Sequence, residues 1–117
     1  MAKLASLLFI VCLLLSNSLY SVVSDNTQDE INYLISHIES SKCIFNRNGT
    51  DYKGSKVVSH IKKKYDYFNE DIKITEDFIA LSATKSEISG KKYTVRCDDE
   101  TEELGKWLLD ALAKFRN

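Results

Sequence analysis

Proline is absent from the 117 residues, and glycine occurs only four times. No low-complexity tract and no linker composition appears, and no repeat shows in the letters, so nothing divides the chain beyond its start. Cysteine and histidine are scarce, at three and two. The histidines and the two cysteines beyond residue 24 stand far apart in sequence, without the spacing of a metal-ligand set, so no metal is expected. No Gly-rich run follows a strand, so there is no phosphate cradle and no cofactor is expected. Neither charge sign is in excess. All seventeen acids lie beyond residue 24 against fifteen of the sixteen Lys and Arg, which leaves −2 there. Nothing in that balance argues for nucleic acid or an anionic membrane surface.

Long apolar runs are also missing, save one. Leu4 to Leu15 (LASLLFIVCLLL) follows Lys3 and precedes SNSLYSVVS. That layout is a secretory signal peptide, expected over residues 1–24. Val22 and Ser24 suit cleavage after Ser24, with Ser18 the next choice. The rival is an uncleaved anchor, because Leu4 to Val23 reaches across the ~20 residues a bilayer needs. Ser16, Asn17, Ser18 and Ser21 thin its second half. Cys12 sits mid-run behind bulky residues, which excludes a lipid anchor there. Residues 25–117 are then one exported domain, periplasmic or secreted, with no membrane segment once the signal is gone.

Four helices and a small antiparallel β element are expected, a helix-rich α+β fold. Thr27 and Glu30 make a capping box for a helix from about Gln28 to Ser41, with Ile31, Leu34, Ile35 and Ile38 as its apolar stripe. Cys43–Phe45 is β-prone, Asn48-Gly49 signals a tight turn, and Thr50–Lys53 returns. A second helix spans Ser55–Phe68 with Val57, Val58, Ile61, Tyr65 and Phe68 inward. A third spans Glu76–Thr84, capped by Thr75. Lys92–Cys97 alternates as a strand, Asp98-Asp99-Glu100 forms an acidic turn, and Thr101 caps a last helix over Glu102–Phe115. In an exported chain the even pair Cys43 and Cys97 is expected as a disulfide stapling the two β pieces.

The patterns Phe45-x-Arg47-Asn48-Gly49, Val58-Ser59-His60-Ile61 with Lys64, Ile74-Thr75-Glu76-x-Phe78-Ile79 and Ser86-x-Ile88-Ser89-Gly90-Lys91-x-Tyr93-x-Val95 resemble the YfeK-like family. These are small exported bacterial proteins carrying a domain of unknown function. The likeness runs from about Ile31 to Phe115 and implies a bacterial envelope location, but no activity. Lys92 stands where that pattern commonly has proline.

Arg47, Asn48, His60 and Lys64 are the candidate binding residues. A turn arginine exposes a fork of donors suited to carboxylate or phosphate. His60 and Lys64 are neighbours at i, i+4 on one helix. The bland alternatives are a structural turn and a half-buried histidine. Asn48-Gly49-Thr50 is a glycan sequon only in a eukaryotic route. Ser82-Ala83-Thr84-Lys85 spells S-x-x-K, but it falls at a helix end without the partner motifs. No catalytic residue is assigned. The leading expectation is a non-enzymatic binding or adaptor module for an envelope protein or cell-envelope ligand. The alternatives are an inhibitor presenting the Arg47 turn as a plug, and a small hydrolase pairing His60 with an acid such as Glu76.

Overall fold

The computed structural model describes residues 24–117, so the expected signal segment, Ser24 apart, and Cys12 lie outside the described residues. The elements are α1 (Asp25–Ser40), β1 (Ile44–Arg47), β2 (Thr50–Lys53), α2 (Gly54–Phe68), α3 (Thr75–Ser82), β3 (Thr94–Cys97), β4 (Glu100–Glu103) and α4 (Leu104–Arg116). A 3-10 turn, Asn69–Asp71, links α2 to α3.

Local chemistry sets the helix starts, and in three places differently from expectation. Ser24 caps α1, its Oγ accepting the Thr27 N–H at 3.2 Å. Thr27 is therefore inside the helix, and Glu30 turns away to Thr75 and Arg116. α2 starts at Gly54 straight from β2, without a side-chain cap. α3 is held by Asp77, whose Oδ2 accepts from the N–H groups of Lys73 at 3.0 Å and Ile74 at 3.1 Å. Thr75, expected as that cap, is buried and donates to Glu30 Oε1 at 2.6 Å.

The sheet is larger than expected. Its order is β2-β1-β3-β4, all antiparallel. Residues 100–103 (ETEE), expected as a turn and helix start, form the edge strand β4, with Thr101 opposite Arg96. Three glutamates have little β preference. The backbone of β3 supplies the pairing, and the edge leaves most of those charges in water.

The second half of the chain repeats the first. Thr94 stands to Ile44, Glu100 to Thr50 and Leu104 to Gly54 at a constant spacing of 50 residues. Each unit is a four-residue strand, a two-residue turn, a four-residue strand and a helix with no linker. Asn48 and Asp98 correspond, and both adopt the left-handed conformation, φ 52° and 55°. The pairing Phe45↔Val95, flanked by Ile44↔Arg96 and Asn46↔Thr94, places an approximate two-fold axis between Phe45 and Val95. Not one of the ten hairpin positions is identical between Ile44–Lys53 and Thr94–Glu103, which is why no repeat shows in the letters.

Strand alternation turns Phe45 and Val95 toward the helices, where both are buried. Ile31, Leu34 and Ile38 of α1, Val57 and Ile61 of α2, Phe78 of α3, and Leu104, Leu108 and Leu112 of α4 complete the core. At one end of the β1–β3 pair, Cys43 and Cys97 form the expected disulfide, Cα–Cα 4.5 Å. The strand that carries Cys97 is followed by β4, not directly by the last helix. The same two-fold relates that pair of positions to Tyr93 and Arg47, at the other end of the same two strands.

Candidate functional site

Arg47 ends β1 on the face that carries Phe45, so its side chain passes between sheet and helix rather than out from the turn. Its guanidinium carbon lies 5.4 Å from the Tyr52 ring centre and 5.7 Å from that of Tyr93, a stacked cation between two aromatics. Its Nε is buried and has no hydrogen-bond acceptor among the described residues. Arg47 is thus half-buried and does not project from the turn.

Tyr93 is buried just before β3, anchored by its N–H to the Thr84 carbonyl at 2.9 Å. Its hydroxyl lies 3.4 Å from His60 Nε2 and 3.4 Å from Lys64 Nζ. Lys64 also donates to the Lys85 carbonyl at 2.7 Å and approaches Glu87 at 3.4 Å. Asn48 Oδ1 accepts from Ser89 Oγ at 2.6 Å, which ties the hairpin turn to the loop after α3.

Arg47, Asn48, His60 and Lys64 thus all line one cavity of about 540 Å³. Lys63, Tyr67, Phe68, Ser86, Glu87, Ile88 and Tyr93 complete its wall. Sequence reasoning had the four polar residues but not the cavity, nor the part of Tyr93, which the alternation of KYTVRC marks only as core. Lys63, Tyr67 and the Ile88 turn carry no sequence signal beyond a basic flank, an exposed aromatic and a polar loop.

The electrostatics are one-sided. Arg47, Lys63 and Lys64 face a single carboxylate, Glu87. His60 adds no charge at neutral pH. Burial, then the neighbouring charges of Arg47, Lys64 and Lys63, push its pKa down to about 4. Its ring meets no carboxylate. Glu76, the acid expected to converge on it, is gripped instead by Arg116, with Nη1 at 2.9 Å from Oε2 and Nη2 at 3.0 Å from Oε1. The same guanidinium holds the buried Glu30. Ser82 of the S-x-x-K string is fully buried in the core layer.

The two-fold carries Arg47, Asn48, His60 and Lys64 onto Cys97, Asp98, Asp110 and Lys114. All four of those line a second cavity, of about 670 Å³. There the signs are reversed: Asp98, Asp99, Glu100, Glu102 and Asp110 surround it against Lys114. His37, stacked on Trp107 with centroids 4.4 Å apart, forms its aromatic wall, and burial lowers the His37 pKa. Among the described residues no group of three or more His, Cys, Asp or Glu is placed to hold a metal, and no helix is long and apolar enough to cross a membrane.

Fold and site together define a small disulfide-bonded α+β domain with two oppositely charged clefts. The chain belongs to DUF5329, a family of unknown function, whose model matches residues 25–116. No curated protein and no solved structure gives a significant match.

Proposed function

We propose that the protein is a non-enzymatic binding module whose recognition site is the Arg47 cavity, and that its partner or ligand presents an anionic group there. One observation carries the reading: a stacked arginine lines a cavity in which it and two lysines face a single acid. A carboxylate or phosphate suits the fork of donors that a guanidinium presents. The proposed setting is the bacterial envelope, reached by export. The apolar start of the sequence and the resemblance to YfeK-like proteins support it, as does a family match that begins at Asp25, just past the expected cleavage point.

The test is a chemical-shift titration of the labelled protein with inorganic phosphate and with acetate. The expected result is a saturable shift of the Arg47 Nε–H and of the Asn48, Gly90 and Tyr93 amides, lost in Arg47→Gln. Shifts spread evenly over surface lysines, and unchanged in Arg47→Gln, would overturn the proposal.

A further inference from the structure

Ile88 and Tyr67 are 99 % and 82 % exposed, the two most exposed of the large hydrophobic residues described. Both stand on the wall of the Arg47 cavity. Chance exposure of single apolar residues is ordinary. Two at one rim, beside a cationic floor, form an amphipathic cavity.

Ile88 is also held in that place. Ser86 Oγ accepts from the N–H groups of Ile88 at 3.3 Å and Ser89 at 3.2 Å. The Gly90 N–H donates to the Ser86 carbonyl at 2.9 Å, and Ser89 Oγ fixes the turn to Asn48. Gly90 closes it at φ 73°, a conformation a side chain would strain. The turn thus sets an isoleucine against water by its own hydrogen bonds. Tyr67 approaches from the α2 side, with Phe68 beside it. The volume of about 540 Å³ falls in the range of sites for organic ligands, ~300–1,000 Å³. It would hold about eighteen waters at ~30 Å³ each, far more than an inorganic anion displaces.

We infer that the cavity takes a single-headed anionic amphiphile, its carboxylate or phosphate at Arg47 and Lys64 and its apolar body along Tyr67 and Ile88. This rests on the anion-binding reading and adds the tail. The head group answers the excess of cations over acids in the cavity wall. The tail covers the two most exposed large hydrophobic side chains among the described residues.

The experiment is calorimetric titration of the protein with acetate, octanoate, octyl phosphate and octyl glucoside, all below their micellar concentrations. Each methylene half covered by the rim tightens binding ~2-fold, so octanoate is expected to exceed acetate by ~50-fold over six methylenes. Octyl glucoside, with a tail one carbon longer and no charge, is expected to bind at least 10-fold more weakly than octanoate. Octanoate against octyl phosphate decides which head group is preferred. Ile88→Ser, at a position so exposed that folding is insensitive to it, is expected to cut the octanoate-to-acetate ratio several-fold. If acetate and octanoate bind alike, the anion site stands and the amphiphile is overturned. If the glucoside binds as well as octanoate, the rim is a plain apolar patch and the inference falls. If no anion binds, both readings fall. An octapeptide ending in a free leucine carboxylate that binds tighter than octanoate would assign the rim to a peptide terminus instead, and overturn the inference.

Discussion

At the scale of single residues, His60 reports the site. Its imidazole takes a proton near pH 6.5 in the unfolded chain but only near 4 in the fold, because burial and the cations of Arg47, Lys64 and Lys63 oppose the charge. Between those values the unfolded chain binds a proton that the folded one refuses. Stability is therefore fully present above pH 6.5 and falls as pH drops from 6.5 toward 4. His37 acts in the same direction. Glu30 and Glu76 are lowered below the usual carboxylate value of 4.5, mainly by hydrogen bonds from Arg116, so their share is lost only as pH falls below 4.5. Urea midpoints measured from pH 7.5 to 4.5 are expected to fall less steeply for His60→Gln than for the native protein. Parallel curves would mean that the imidazole is not held neutral. The residue types at this site were legible in the sequence: a turn arginine and a His/Lys pair at i, i+4. Their convergence was not. It depends on which face of β1 carries Arg47, and that follows from the register of Phe45 against Val95, a contact between positions 50 apart.

At the scale of elements, the apolar stripes of the first two helices and the Asn48-Gly49 hairpin followed from periodicity and turn chemistry. The helix starts followed less well, because tertiary partners outbid local ones. Glu30 leaves a feasible capping box for Thr75 and for the Arg116 that returns from the far end of the chain. β4 was missed because its pattern is borrowed from its neighbour rather than written in its own residues. Ser24 as the observed cap bears on processing: cleavage after Ser24 removes it, while cleavage after Ser18 keeps it. The junction of β2 and α2 gives a sharper test. A Cβ at Gly54 would overlap the Ile38 carbonyl oxygen of α1. Alanine normally favours a helix over glycine by ~1 kcal/mol. Here Gly54→Ala is expected to destabilise by ~2 kcal/mol through backbone displacement, seen as a lower urea midpoint with an unchanged slope. A stabilised variant would show that α1 and α2 are not in that contact.

At the scale of the whole molecule, the fold is two hairpin–helix units around one axis, wrapped by α1 and α3. The disulfide and the Arg47–Tyr93 stack occupy equivalent positions at the two ends of the central strands. One end is covalently closed, and the other is left to a cation between aromatics. The cross-link spans 54 residues, and closing that loop is worth ~4 kcal/mol in chain entropy. Cys43→Ala with Cys97→Ala is expected to lose about that much in urea, a large share of the ~5–10 kcal/mol such a domain holds. A loss under ~1 kcal/mol would show that the β1–β3 pairing holds without it. The two clefts differ in charge: the fold is repeated, but only one copy of the cleft is lined mainly by basic side chains.

His60 reads the charge of the cationic cleft directly. Its ring is titrated by NMR in the native protein, with and without saturating octanoate. A pKa near 4 is expected in the free protein, rising when an anion settles among Arg47, Lys63 and Lys64 and offsets their charge. A His60 that titrates at the same pH with and without the anion, while His37 serves as the unmoved control, would contradict it.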